Sequence, residues 1–225
     1  MIGLQILQRR QRIAEALVHA FDDIPVANIS DSMARMTAGG PRLRPMHQGG
    51  RLAGPALTVK TRPGDNLMIH KALEMAEPGD VIVIDGGGDL TTALVGELMT
   101  TYARSRGVAG YVINGAIRDL DVIASGRFPV YAAGVTHRGP YKDGPGEINV
   151  PIAIDGMVIH PGDLMLGDGD GVLCVPMAAA EEILAAARKK VEAEKATLQN
   201  IAAGRLDQSW VDATLKRIGC DPEPR

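Results

Sequence analysis

The residues best suited to chemistry gather between Asp85 and Asp119. The stretch reads Asp85-Gly-Gly-Gly-Asp89, then Gly96-Glu97-Leu98-Met99, then Gly115-Ala-Ile-Arg118-Asp119. The last group follows Tyr111-Val112-Ile113, an apolar run of buried-strand type that ends in Asn114-Gly115. Residues just past such a strand stand at the carboxyl edge of a sheet, where α/β proteins bind ligands. Arg118 offers a planar fork for a carboxylate, and Asp119 a hard oxygen for a divalent cation. Being adjacent, they lack the three- or four-residue spacing that pairs side chains on a helix face. A 2-oxo acid chelating a cation through its keto oxygen and one carboxylate oxygen asks for such a pair.

Gly96 admits two readings. It can open a helix, leaving the amides of Leu98 and Met99 unpaired as an anion site. Equally, the helix can begin near Thr91, with Gly96 a packing contact inside it. An Arg-Asp dipeptide after a strand can likewise be a turn carrying an exposed salt bridge. Other candidates have weaker support. Asp168-Gly-Asp170-Gly171 mimics the opening of a calcium loop, but no Glu follows at the required offset. Gly86-Gly-Gly-Asp89 is neither a phosphate loop nor a dinucleotide fingerprint. The five histidines (19, 47, 70, 137, 160) show no paired ligand spacing. His70 falls on a predicted helix, where packing or capping accounts for it, and His137-Arg138 on a loop that could edge a site.

The elements that must position these residues can be read along the chain. Leu4, Leu7, Ile13, Leu17, Val18 and Phe21 predict an amphipathic helix over 4–21. Ser30-Asp31-Ser32 predicts the N-cap of a short helix through Met36, broken at Gly39-Gly40-Pro41. A strand is expected over 52–61, and a helix from Leu67 to Met75 after the Gly64-Asp65-Asn66 turn. Pro78-Gly-Asp80 turns into the apolar run Val81–Ile84, and Pro161-Gly-Asp163 into Leu164–Leu166, which suggests two similar turn-into-strand units. Gly86-Gly87-Gly88 ends the first, and a helix is expected to follow as far as Arg106. Short strands at 129–132, 152–154, 157–159 and 172–175 follow Tyr111–Ile113. A long helix, 178–203, closes the pattern at Gly204. This is a mixed α/β chain, divided as a helical arm over 1–24, an α/β domain over 25–177, and a helix and tail over 178–225 that pack at a subunit interface.

Composition narrows the function classes. Net charge is −3, with no basic run longer than Arg188-Lys189-Lys190, so nucleic acid is not expected as a partner. Cys174 lies in an apolar run and Cys220 far from it in sequence, so neither a disulfide framework nor a zinc site is expected. No uncharged apolar stretch approaches the ~18 residues of a membrane span. The N-terminus, with Arg9, Arg10 and Arg12, lacks a signal-peptide core, and a cytoplasmic protein is expected.

Pro78-Gly-Asp-Val-Ile-Val-Ile-Asp-Gly-Gly-Gly-Asp89, then Glu97, twenty intervening residues and Arg118-Asp119 resemble the family of the regulator of ribonuclease activity A. Within it, the pattern is most similar to the class II 4-hydroxy-4-methyl-2-oxoglutarate aldolases. Ser30-Asp-Ser-Met33, Gly64-Asp-Asn-Leu67 with His70-Lys71, His137-Arg-Gly-Pro140 and Gly162 to Val172 extend the resemblance over about residues 25–205. It implies a swivelling β/β/α sandwich assembled as trimers or hexamers, with sites at subunit boundaries. Asp119 would ligate Mg²⁺ or Mn²⁺, and Arg118 would hold the substrate carboxylate. The backbone from Gly96 through Glu97 and Leu98 to Met99 would cradle that carboxylate. Glu97 joins Arg118 and Asp119 in the catalytic set, where the aldolases carry Asp, one methylene shorter. A base from a neighbouring subunit maps near Glu192 or Glu194. The implied reaction is retro-aldol cleavage of a 4-hydroxy-2-oxo acid to pyruvate, with oxaloacetate decarboxylation in parallel. The competing implication is a non-enzymatic protein that binds and inhibits a ribonuclease, which needs no Asp after the Arg. A methyltransferase reading has no support, since no nucleotide-binding glycine fingerprint occurs.

Overall fold

Strand and helix alternate in the first half of the computed structural model, which describes residues 1–36, 39 and 41–220. The order begins β1 (Leu4–Ile6), α1 (Glu15–His19), α2 (Val26–Ser32), β2 (Arg44–Pro45), β3 (Leu52–Thr61) and α3 (Leu67–Met75). It continues β4 (Val81–Asp85), β5 (Ala93–Val95), α4 (Glu97–Ser105), β6 (Gly110–Ile117), α5 (Leu120–Ser125) and β7 (Val130–Val135). Short strands follow: β8 (Gly146–Ile148), β9 (Ile152–Ile154), β10 (Met157–Ile159), β11 (Leu164–Asp168) and β12 (Gly171–Val175). The helices α6 (Ala180–Ala202) and α7 (Ser209–Arg217) end the order.

The sheet runs β1-β8-β3-β4-β6-β7-β2, with β3–β4, β4–β6 and β6–β7 parallel. β3 reaches beyond this path to pair antiparallel with β11, which pairs with β12. Alternation sorts each central strand between two cores. Ile82 and Ile84 pack with α3 and α4 residues such as Leu73, Met99 and Ala103. Val81 and Val83 face the opposite layer, among Ile154 and Ile159 of the β9–β10 hairpin, Met165 and Cys174. All four β4 side chains are fully buried, so a continuous apolar run is what this position requires. Truncating one such Ile to Ala costs about 2–5 kcal/mol. The result is the β/β/α layering expected, and burial pushes the Cys174 thiol upward, keeping it a protonated core group.

The two Pro-Gly-Asp turns share a geometry. Glu77 N–H donates to Asp80 Oδ2 and His160 N–H to Asp163 Oδ2, each at 2.9 Å. Gly79 and Gly162 take φ 87° and 92°, values that a side chain would oppose. Each Asp carbonyl then receives an amide from the neighbouring segment, Ala109 or Ala56, at 2.8 Å. Two similar units feed β4 and β11.

Three expectations need correction. The helix over 4–21 is instead the edge strand β1, paired with β8, and a short α1. Backbone pairing and the Arg9–Asp80 contact, at 2.8 Å, override the helical spacing there, leaving Leu4 and Leu7 exposed. The helix expected from Ser30 starts at Val26, because Asp168 Oδ2 caps its amide from far along the chain at 2.9 Å; Ser30 and Ser32 lie at its end. Of the expected break at Gly39-Gly40-Pro41, Gly40 lies outside the described residues. The span from Gly88 to Arg106 is not one helix, since β5 intervenes before α4.

Contacts divide the chain into Met1–Ala187 and Arg188–Arg225. In the second unit, Gly204 (φ 64°) ends α6: its amide donates to Ile201 O, and that of Arg205 to Asn200 O. This is the glycine C-cap expected at that position. Among the described residues, no helix is long and apolar enough to cross a membrane.

Candidate active site

β6 is buried along its whole length and delivers Arg118 to the sheet's carboxyl edge. Parallel pairing of β5 with β6 brings Val95 beside Ile117, and Arg118 N–H donates to Val95 O at 3.0 Å. The residues after both strands therefore emerge side by side: Gly96 and α4 from one, Arg118 and Asp119 from the other. Asp119 takes left-handed backbone angles (φ 58°, ψ 40°), which Asp tolerates better than most residues, and starts α5. That turn aims its carboxylate across at α4, where Oδ2 accepts the Glu97 N–H at 2.9 Å.

Gly96 settles its own two readings. It is the N-cap of α4, and its φ of −145° is open to any residue. Space is what demands glycine. A Cβ at Gly96 would lie 2.4 Å from Asp119 Oδ2 and 3.0 Å from Arg118 Cγ. The α4 terminus is thus pressed against the Arg-Asp pair. With Glu97 N–H given to Asp119 and Thr100 N–H to Gly96 O, the helix offers no acceptor to the amides of Leu98 and Met99.

A cavity of about 140 Å³ opens beside this junction. Arg118, Gly96, Leu98 and Met99 line it, together with Asn66, His70 and Lys142. Of the sequence-predicted site, then, Arg118, Gly96, Leu98 and Met99 share one pocket. Asp119 stands at its edge through Gly96, and Glu97 contributes an exposed side chain beyond the amide bonded to Asp119. One expectation fails in detail: adjacency does not keep Arg118 and Asp119 apart, since Nε lies 3.7 Å from Oδ2. Both side chains are about two-fifths exposed, so this loose pair holds neither strongly. Glu192 pairs with Lys195 and Glu194 with Lys190, all within the second unit. His137-Arg138 lies in the loop that passes the site: Arg138 O accepts from Ala93 N–H, and a Cβ on Gly139 would sit 3.1 Å from an Arg118 nitrogen.

Among the described residues, no three Asp, Glu, His or Cys side chains converge as a protein-built metal cage. A hard divalent cation that keeps most of its waters and takes substrate oxygens needs less, and a single half-exposed carboxylate suits it. Asp119, held by its turn and by Glu97 N–H, is such a donor.

A family model described as Aldolase/RraA matches residues 26–174. The chain belongs to that family. A Halalkalibacterium halodurans protein, provisionally named a 4-hydroxy-4-methyl-2-oxoglutarate aldolase, is 42% identical over 170 residues, covering 76% of this chain and 81% of its own. Among solved structures, an uncharacterized Pseudomonas syringae protein aligns with TM-score 0.77 and 28% identity over 86% of this chain and 96% of its own. Streptomyces coelicolor RraAS2, described as an unusual member of the RNase ES inhibitor RraA family, gives 0.74 and 26% over 82% and 96%. The family's names therefore span an aldolase and a ribonuclease inhibitor, and the site must decide between them. Sequence reasoning passed over Lys142, placed Asn66 in a turn and gave His70 a packing role. The sequence holds no pairing signal linking these to Arg118, because α3 and the 141–145 loop meet the pocket only through the fold.

Proposed function

We propose that this chain is a divalent-metal-dependent carbon–carbon lyase that releases pyruvate from a 4-hydroxy-2-oxo acid. The observation carrying this reading is the Gly96 junction, where a missing Cβ lets open amides, a guanidinium and a carboxylate approach one pocket. Arg118 binds the substrate's 1-carboxylate through its fork, and the Leu98 and Met99 amides receive the same group at the α4 N-terminus, where the helix dipole favours an anion. Asp119 holds Mg²⁺ or Mn²⁺ against the keto oxygen. The bound cation supplies Lewis acidity toward charge developing on that oxygen. Cleavage breaks the C3–C4 bond: the C4 hydroxyl gives up its proton, C4 becomes a carbonyl, and C3 is protonated to complete pyruvate. Loss of CO₂ from oxaloacetate places charge on the same oxygen, so a parallel decarboxylase activity follows from the same residues.

A ribonuclease-binding role has the support of the RraAS2 likeness. It gives no reason for a carboxylate aimed at a helix N-terminus inside a pocket, and the lyase does. The test is a pyruvate-release assay with 4-hydroxy-4-methyl-2-oxoglutarate and oxaloacetate. Turnover should vanish after exhaustive EDTA treatment and return with Mg²⁺ or Mn²⁺. Full activity in the chelated protein rules out the metal-dependent mechanism.

A further inference from the structure

The side-chain amide of Asn66 is half satisfied. Asn66 is 3% exposed and occupies the N-cap of α3. An Asn there ordinarily turns back to accept from the first helical amides. It makes no such bond, because Asp65 Oδ1 takes the Leu67 N–H at 2.9 Å. The Asn66 side chain is released toward the cavity beside Arg118. Its Nδ2 donates to Leu94 O at 2.9 Å, and since a carbonyl only accepts, this contact identifies which end of the amide is nitrogen. The other end, Oδ1, is buried without a hydrogen-bond partner. Native interiors rarely leave such an acceptor unmet, and this one lines a cavity.

Lys142 and His70 line the same cavity. The Lys142 loop is tied down on both sides: Asn66 N–H donates to Tyr141 O at 3.0 Å, and Asp143 and Gly144 N–H to Asp65 Oδ2 at 2.7 and 2.9 Å. Burial and the Lys142 charge hold the His70 ring below its ordinary value, so it is neutral at pH 7. The pocket thus requires a hydrogen-bond donor from its ligand at Asn66 and offers a cation at Lys142.

The geometry points to Asn66 as the residue that reads the C4 hydroxyl of the substrate, with Lys142 meeting a second carboxylate beyond it. This rests on the lyase reading above and narrows its substrates to 4-hydroxy-2-oxo dicarboxylates. An amide oxygen is too weak a base to remove the hydroxyl proton, so Asn66 selects and orients. Keto oxaloacetate brings no hydroxyl and leaves Oδ1 unpaired, the kind of mismatch by which a polar site rejects an analogue.

The test measures kcat/KM for pyruvate release with Mg²⁺ present, comparing wild type with Asn66→Ala and the nearly isosteric Asn66→Leu. The preference for 4-hydroxy-4-methyl-2-oxoglutarate over oxaloacetate should fall about three- to tenfold in both variants, mostly through KM. Lys142→Met, on an exposed loop that keeps the test open if the buried variants misfold, should cut the preference for that dicarboxylate over 4-hydroxy-2-oxopentanoate by roughly tenfold. A merely structural Asn66 would lower both activities together and leave the ratio unchanged, which overturns the assignment. So does an unchanged Lys142→Met ratio. If the wild type releases pyruvate from none of these compounds, the lyase reading fails, and this one with it.

Discussion

Gly96→Ala adds one methyl group where the junction has no room. The new Cβ would lie 2.4 Å from Asp119 Oδ2, 3.0 Å from Arg118 Cγ and 3.2 Å from Arg118 Nε. An ordinary contact needs about 3.4 Å or more, so Asp119 and α4 must separate by roughly 1 Å. The backbone contributes no strain, since φ is −145°. The carboxylate cannot easily yield, because its own left-handed turn aims it at Glu97 N–H. Overpacking of this kind costs about 1–3 kcal/mol of stability. At roughly 2–4 °C per kcal/mol for a chain of this size, Tm should fall by about 2–12 °C. Catalysis should suffer far more, since ~1 Å of misplacement costs on the order of a hundredfold. Differential scanning calorimetry and pyruvate-release kinetics separate the two effects. A variant with wild-type kcat/KM, or one whose activity loss merely tracks its unfolded fraction, would refute the reasoning.

Arg118→Lys keeps the charge but loses the fork, so KM should rise about ten- to a hundredfold with metal affinity little changed. Asp119→Asn can still accept the Glu97 N–H yet loses the anionic oxygen, so kcat and Mg²⁺ affinity, read by calorimetry, should fall together. Burial works to raise the Asp65 carboxyl, but the amides of Leu67, Asp143 and Gly144 and the Arg62 charge outweigh it and hold it below the ordinary range. Its contribution is therefore present above the unfolded carboxylate value of about 3.9 and lost as pH falls through the lower folded value. Asp65→Asn should cost about 3 kcal/mol near pH 7 and progressively less below about pH 4, by urea titration across pH. The apolar side chains exposed in the second unit, Leu198, Ile201, Trp210 and Ile218, motivate a trimer or hexamer; light scattering should give a mass well above the 23.8 kDa of one chain.

Much of this site can be read in the sequence because its signals are local. An apolar run ending in Asn114-Gly115 announces a strand end, and two residues of opposite charge just beyond it announce a ligand edge. The two Pro-Gly-Asp turns are legible for the same reason: each Asp caps an amide three residues back, so the motif carries its own structure. The α3 boundaries follow from Gly64-Asp65-Asn66, although the side chain that bonds the helix is Asp65 and not Asn66.

Elements that depend on distant partners are hidden. α2 starts at Val26 because Asp168 supplies its cap, and β1 is a strand because β8 offers an edge. β5, three residues long, exists through its pairing with β6, and with it goes the answer to where α4 begins. The role of Gly96 was ambiguous in sequence for this reason: glycine is permitted in a cap and in a crowded contact alike. Here it is both, and the crowding partner is the carboxylate it helps to place. The same logic explains Asn66. Its residue type predicts a cap, and only the competing Asp65, locked by a loop some eighty residues away, turns it into the wall of a pocket. What decides function in this chain is less which polar residues it contains than which of them the fold relieves of ordinary structural duties.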